Sequence, residues 1–313
     1  MLALLLLLIG VGFLSVQDLL VKFVAGGSSF WQLQTVRSCF NLGMIVLLAM
    51  LSGGIRLIWP QRIRPALARA LMLALCMMCF FGMSQKITVA QMATGLYTYP
   101  LFVTLLAGPF LGEKIGMWRL AALLLGAVGC LVVLDPLTDD FALFQALPVL
   151  AGFFYACNIL ILRRYCRNES PLALVFIVSL IFFLSGFTGV MIVSLLPLDA
   201  LQRAEVPFLL VGWPDLTLVL ILLFLGLAIL NLFGNLCLSR AYQTADSSRL
   251  APLDFSYLLF IAIWSGLLFD SWPSLTAMLG MVLIAIAGII TAIREKRHHK
   301  PVKGAGNIAD NLS

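Results

Sequence analysis

An all-α membrane protein is the fold class the sequence predicts, with ten transmembrane helices in two inverted five-helix repeats. Three observations carry that reading: composition, a charge asymmetry and an internal repeat. Of the 313 residues, 62% are hydrophobic and 11% charged, and the mean hydropathy is +1.07. Soluble domains run at roughly 45–50% apolar and about 25% charged. A bilayer-spanning helix needs about 20 mainly apolar residues, so ten take about 200 and leave no room for a soluble catalytic domain. A disordered chain and a nucleic-acid-binding module are excluded too, although the net charge is +6. In a membrane protein, a basic excess marks the cytoplasmic face.

The predicted spans, in order, are residues 2–24, 30–51, 66–84, 91–111, 117–134, 141–162, 172–195, 215–239, 250–269 and 274–293. The leading apolar run resembles a signal peptide in length. It lacks a basic start and a small-residue cleavage site, so it is read as the first helix. The third span is short. The connection 196–214 carries Pro197, Pro207 and Pro214 and reads as an external loop. Residues 294–313 read as a disordered, basic cytoplasmic tail.

Charge placement tests the count. With a cytoplasmic N-terminus, the inner connections collect sixteen of the 20 Lys and Arg; Lys22, Arg37, Lys86 and Arg203 are the remainder. The outer connections collect acids, among them Asp135, Asp139, Asp140, Asp199, Glu205, Asp215 and Asp270. That asymmetry is what the positive-inside rule demands, and one missed helix would scramble it. The seven cysteines suggest no disulfide framework, and Cys76 and Cys79 share a helical face where packing explains them.

Two stretches, 84–133 and 239–290, look alike. Each runs from a polar turn into an apolar span that ends in a leucine-rich run capped by an acid, FLGE at Glu113 and LLFD at Asp270. Another span follows, beginning near a Trp. The offset is five spans, an odd number, so the two copies must lie in opposite orientations. Inverted repeats are a transporter architecture, with the substrate site near midplane between the halves. The repeats are placed at 1–134 and 141–293.

With VQDLLVKFV on the first span, QLQTVRSCF on the second, FLGEKIGMWRLAALLLGAVGCLVVL closing the first half and LAPLDFSYLLFIAIWSGLLFD on the ninth, the chain resembles the EamA family of the drug/metabolite transporter superfamily. The resemblance covers nearly the whole chain. It implies ten helices as an inverted repeat, both termini cytoplasmic, and passage of small metabolites across a bacterial inner membrane. Asp270 stands where the family commonly has Gly-Glu, which reads as a turn element. The Asp18-x-x-x-Lys22 spacing followed by Arg37 is similar to a subgroup of S-adenosylmethionine carriers, and riboflavin carriers look similar here. The family is well marked by these motifs and the substrate poorly.

Asp18, Lys22, Arg37 and Asp254 are ionisable groups inside spans. Each costs roughly 2.5–3.5 kcal/mol at the bilayer centre and needs a partner or water. Asp18 and Arg37 both fall about 10 Å below the outer surface at 1.5 Å rise per residue, so they can pair. Lys22, one turn from Asp18, can snorkel outward. Two readings stay open: a structural ion pair joining helices one and two, or an outward-facing site for a substrate carboxylate with Asp18 as a coupling acid. Asp254 follows Pro252 and suits a helix N-terminus. Its functional alternative is an inner-gate acid exchanging with Arg240 or Arg249.

Asn41, Asn158, Asn231 and Asn235 either bond neighbouring helices or hydrogen-bond a polar ligand. Tyr97, Tyr99 and Phe102 on helix four, and Phe255, Tyr257 and Trp264 on helix nine, could stack a planar ligand or hold a cationic one. The family resemblance puts helices four and nine beside a central cavity. Tyr97 lies near an interface, where a belt role suits it. Pro100 and Pro109 are expected to kink helix four. The candidate substrate-binding or coupling set is therefore Asp18, Lys22, Arg37, Asn41, Tyr99, Asn158, Asn231, Asn235, Asp254, Tyr257 and Trp264.

The function expected is a secondary transporter for a small polar or amphipathic metabolite, S-adenosylmethionine-like on resemblance alone. No cofactor and no metal is called for, and the partners are a small-molecule substrate and the bilayer, as monomer or homodimer. No nucleotide-binding loop points to ATP as the driving force. A membrane enzyme would need clustered catalytic groups; no His lies within a span and no HExxH occurs. A non-transporting sensor or assembly subunit is the remaining alternative.

Overall fold

In the computed structural model, which describes residues 2–111, 117–134, 142–244 and 253–298, the long apolar runs are helices and no strand occurs among the described residues. They are α1 (Leu2–Val24), α2 (Phe30–Ser52), α3 (Ile63–Phe81), α4 (Val89–Leu96), α5 (Tyr99–Leu111), α6 (Met117–Leu134), α7 (Leu147–Tyr165), α8 (Pro171–Leu195), α9 (Ala200–Glu205), α10 (Pro207–Leu210), α11 (Leu218–Thr244), α12 (Ser256–Phe269) and α13 (Leu275–His298). Among the described residues, seven candidate spans are long and apolar enough to cross a membrane, the fourth running Val89–Leu106 across α4 and α5. Three shorter apolar helices join them: Leu120–Val133, Ser256–Phe269 and Leu275–Ile290.

Local chemistry sets the ends. Ser29 caps α2 by accepting from the Gln32 N–H, and Thr88 with Gln91 forms a capping box on α4. Asp270 ends α12 in the left-handed region, φ 50°, and its N–H reaches back to Ser265 O, so this acid is a turn element. Glu113, its counterpart, lies outside the described residues, as do Arg249, Pro252, Asp139, Asp140 and the tail from 299 on.

The helix of span four is broken. Tyr97 and Thr98 separate α4 from α5, just ahead of Pro100. Proline has no N–H to return to the carbonyl four residues back, and its ring crowds that carbonyl. Thr98 Oγ1 donates to Gly95 O across the break, at 2.6 Å. Pro109 lies inside α5 without interrupting it. Span nine shows a matching interruption: a helical turn at 253–254, a turn residue at Phe255, then α12.

Packing brings distant helices together. α1 lies on α11 and α12, α2 on α8 and α11, α3 on α7 and α8, and α4 on α7 and α12. α6 pairs with α13, where a Cβ on Gly129 would come 2.9 Å from Gly280 O and one on Gly280 2.7 Å from Gly129 O. Only glycines permit backbones that close.

The 196–214 connection is more than a loop. It forms α9 and α10 and drives Phe208, fully buried, into a cluster with Phe30, Phe80, Phe81 and Phe224. Trp31 Nε1 donates to Leu209 O (2.8 Å), Ser29 Oγ to Gly212 O (2.7 Å) and Gln32 Nε2 to Pro214 O (2.7 Å). Gln85 accepts from the Phe208 N–H and donates to Ala25 O. The segment is a docked lid over one end of the bundle.

Candidate functional site

A cavity of about 170 Å³ lies within the bundle. α1 supplies Gln17 and Asp18, α2 Arg37 and Asn41, α3 Arg69, and α7 Tyr155 and Asn158. Ser179 and Phe182 come from α8 and Asn231 and Asn235 from α11. The two interruptions complete it: Tyr97 and Tyr99 from span four, Asp254 and Tyr257 from span nine. Irregular backbone at membrane depth survives only where protein or a cavity satisfies it, and here both breaks face the same hollow.

A hydrogen-bond chain crosses the site. Asn41 Nδ2 reaches Asn231 Oδ1 at 3.5 Å, Asn231 Nδ2 donates to Gln17 Oε1 at 2.6 Å, and Gln17 Nε2 to Asp18 Oδ1 at 2.5 Å. Tyr257 donates its hydroxyl to Asp18 Oδ2, so both Asp18 oxygens are occupied. Asn235 Nδ2 donates back to Asn231 O, 2.8 Å. On the other side Tyr99 Oη donates to Asp254 Oδ2 at 2.7 Å, and Tyr97 Oη to Asp254 O at 3.1 Å. Asp254 is thus a cavity-lining acid held by Tyr99. The aromatic wall is continuous: Tyr97 stacks on Tyr257 at 5.0 Å between centroids, and Tyr99 meets Tyr155 edge-on at 4.9 Å.

The expected Asp18–Arg37 ion pair is not among the contacts of the described residues. Arg37 is 2% exposed. Its Nη2 donates to Gln34 Oε1 at 2.5 Å, and its guanidinium sits 6.0 Å from the Phe182 ring. Its Nε has no acceptor. Equal depth on two helices says nothing about azimuth: Asp18 faces span nine, whose Tyr257 reaches it first.

Nine of the eleven candidate residues line the cavity. Lys22 does not: its Nζ donates to Ile87 O at 2.7 Å, tying α1 to the start of span four. Trp264 packs instead against a core cluster of α1, α12 and α13 residues, and its Nε1 has no partner. Sequence reasoning missed Gln17, Arg69, Tyr155 and Ser179, and assigned Tyr97 to an interface belt. Arg69 had been counted with a cytoplasmic connection, yet it stands in α3 with its Nε buried and unpaired. Tyr155 carried a usable signal, since it precedes Asn158 by three residues and so shares its helix face.

The profile described as the EamA-like transporter family matches residues 1–135 and 143–293. The chain belongs to that family. It is therefore a multi-pass membrane protein of a transporter family. A riboflavin transporter of Vibrio cholerae is 28% identical over 66% of this chain and 63% of its own length, so the match spans under two thirds of that relative. The pseudopaline exporter CntI of Pseudomonas aeruginosa is 26% identical over 90% of this chain and 93% of its own. An S-adenosylmethionine uptake transporter of Rickettsia felis is 27% identical over 71% of each. A solved protein structure aligns over 94% of this chain and 99% of its own with a TM-score of 0.53 at 16% identity, a likeness of fold. These EamA relatives differ in cargo and in direction, as their names state.

Proposed function

We propose that the chain is a secondary carrier that moves a small polar or amphipathic metabolite across the inner membrane by alternating access. In this reading ten spans form two inverted five-helix repeats, 1–134 and 141–293, with both termini cytoplasmic and the lid outside. The pairing of helices supports it. Number the spans one to ten, with α4 and α5 as span four, and exchange every span with the one five places on. The pairs 1·8 and 3·6, 2·8 and 3·7, and 1·9 and 4·6 interchange, while 2·7, 4·9 and 5·10 map onto themselves. A two-fold relation between the halves produces that pattern, and the odd offset of five spans is what turns it into an inverted repeat.

The observation that carries the reading is the cavity between the two halves. It is walled by both interrupted spans, and Tyr257–Asp18 and Tyr99–Asp254 each bridge one half to the other. Rocking the halves would exchange those bonds. An S-adenosylmethionine-like substrate is the one we favour, with a riboflavin- or drug-like substrate second. The names of the Rickettsia and Vibrio relatives support both.

The test is flux into proteoliposomes of labelled S-adenosylmethionine, riboflavin and amino acids. We expect saturable flux of one compound, lost in Asp18→Asn while the protein still inserts and melts as a folded species. A folded protein with no flux of any compound, co-purifying with a stoichiometric partner, would favour a sensor or assembly subunit.

A further inference from the structure

We infer that the end of the bundle opposite the lid holds an anionic phospholipid, its headgroup phosphate bound by Arg56, Arg62, Arg64 and Arg167. α2 runs from Ser29 at the lid to Gly53, about 34 Å away at 1.5 Å rise per residue. There the chain turns sharply. Gly53 and Gly54 have φ of 142° and 109°, values that favour glycine. They lead into a short 3₁₀ turn, Ile55–Ile58, packed on α2 and α8. Ile58 is buried in a cluster with Ile45, Ala49 and Leu232, and Trp59 meets Phe176 of α8 edge-on at 6.2 Å. Glu169, between α7 and α8, completes a clasp. Its two carboxylate oxygens accept the Gln61 and Arg62 N–H groups, each at 2.8 Å. Residues 55–64 and 167–169, from the two halves, thereby form one surface.

That surface stands at headgroup level. Leu47, Met50 and Leu51, near the end of α2, are exposed apolar side chains, and Ile55, Trp59 and Ile63 continue them. Hydrocarbon covers such side chains, and a Trp suits the level where it ends. Arg56, Arg62, Arg64 and Arg167 are exposed among them. None of the four side chains has an ion pair or a hydrogen bond among the described residues. The carboxylate in the patch, Glu169, is spent on backbone N–H groups. With Glu169 counted, the patch keeps three net positive charges. A guanidinium fork matches phosphate oxygens. An anionic headgroup compensates the charge, whereas a zwitterionic one brings none. The exchange of spans supplies a comparison. The counterpart connection, 196–217, carries Asp199, Glu205 and Asp215, and its arginine, Arg203, donates to Leu198 O and Leu196 O at 3.3 and 3.4 Å. The same place in the two repeats carries opposite charge, so packing alone does not call for the arginines.

The orientation proposed above makes this the cytoplasmic leaflet; the binding itself rests on neither orientation nor transport. The test uses the full chain in neutral-detergent micelles doped with phosphatidylglycerol or phosphatidylcholine, or mixed with glycerol 3-phosphate. It is read by melting temperature and by native mass spectrometry of retained lipid. We expect phosphatidylglycerol to raise the melt and to be retained, with phosphatidylcholine and glycerol 3-phosphate silent. Attraction to anionic lipid changes about fivefold per arginine, so Arg62→Gln/Arg167→Gln should weaken retention about 25-fold. Lys86→Gln, exposed at the lid end, should leave it unchanged. Should the double variant not fold, Arg56→Gln/Arg64→Gln, which leaves the clasp itself untouched, carries the test. Equal retention of phosphatidylcholine, a shift reproduced by glycerol 3-phosphate alone, or retention unmoved by both double variants overturns the site. Flux plays no part in these readouts, so such a result leaves the carrier reading standing. A protein without flux that still holds the lipid leaves this site standing.

Discussion

Around the 196–214 lid, polar side chains are consumed by backbone. Ser29, Trp31 and Gln32 each donate to one of its carbonyls, and Gln85 serves as donor and acceptor at once. At the cavity, Arg37 and Asn41 on α2, Asn158 on α7 and Arg69 on α3 each bury an atom with no partner among the described residues. Gln32 Oε1 and, next to Gln85, Ser84 Oγ are unpartnered too, as are Ser38, Ser256 and Trp264 away from the cavity lining. The difference separates architecture from recognition. A buried polar atom without a partner costs about 1–3 kcal/mol, and four of the residues that bury one line the cavity. At the lid the stabilisation comes from apolar burial and from side-chain hydrogen bonds to backbone carbonyls.

The lid should therefore break by loss of packing. Phe208→Ala removes a fully buried ring that meets Phe30 edge-on at 5.9 Å between centroids. Truncations of this kind cost about 3–5 kcal/mol. We expect a large fall in melting temperature of the detergent-purified protein, with flux preserved in whatever fraction is folded. An unchanged melt would mean that the lid is not docked through Phe208. Asn158→Leu probes the other side of the comparison. Because it removes an acceptor that has no donor, the unliganded protein should melt at the same temperature or higher, while ligand no longer raises it.

A smaller effect lies where the halves meet. Tyr99→Phe deletes the hydroxyl that donates to Asp254 at 2.7 Å and leaves the ring against Tyr155. Hydrogen bonds to charged groups contribute about 1.5–3 kcal/mol, and the loss should appear in the melt. Asp254→Asn in the same background should then add little, because the partner is already gone; a double-mutant cycle measures that coupling. Fully additive losses would show that Tyr99 and Asp254 act separately and would remove one of the hydrogen bonds bridging the halves.

Much of the architecture was legible because membrane helices announce themselves: about 20 apolar residues leave a signal that a sequence window detects. The break in span four was legible from Pro100, through the chemistry of a missing N–H. The site was legible by residue type and less so by partner. Asp18 and Arg37 were visible as charges in apolar runs. That Asp18 meets Tyr257, 239 residues away, depends on helix azimuth, which depth alone leaves free. Arg69 was hidden for a different reason. An arginine in the second turn of a helix that begins between Arg62 and Arg64 counts toward a basic connection in any charge tally, though its Nε is buried and the residue lines the cavity. The lid was read as a loop because three prolines signal turns, while the information that docks it lies in Phe208 and in the partners Ser29, Trp31, Gln32 and Gln85 far away in the chain.

The smallest expected effect falls on Lys22, which sharpens the comparison because it shares α1 with Asp18 at one helical turn. By sequence the two belong to one cluster. In the fold Lys22 leaves the cavity and spends its ammonium on Ile87 O at 2.7 Å, beside the start of span four. It belongs with the lid-end residues, whose side chains bond to backbone carbonyls. Lys22→Met keeps the aliphatic stem and removes that single bond, worth about 1 kcal/mol at a half-buried position. The melt should fall slightly, and ligand affinity should stay within about twofold, a difference of roughly 0.4 kcal/mol. If Lys22→Met instead abolished ligand binding, Lys22 would act at the cavity despite its bond to Ile87 O, and α1 would have to present both of its charges to the ligand.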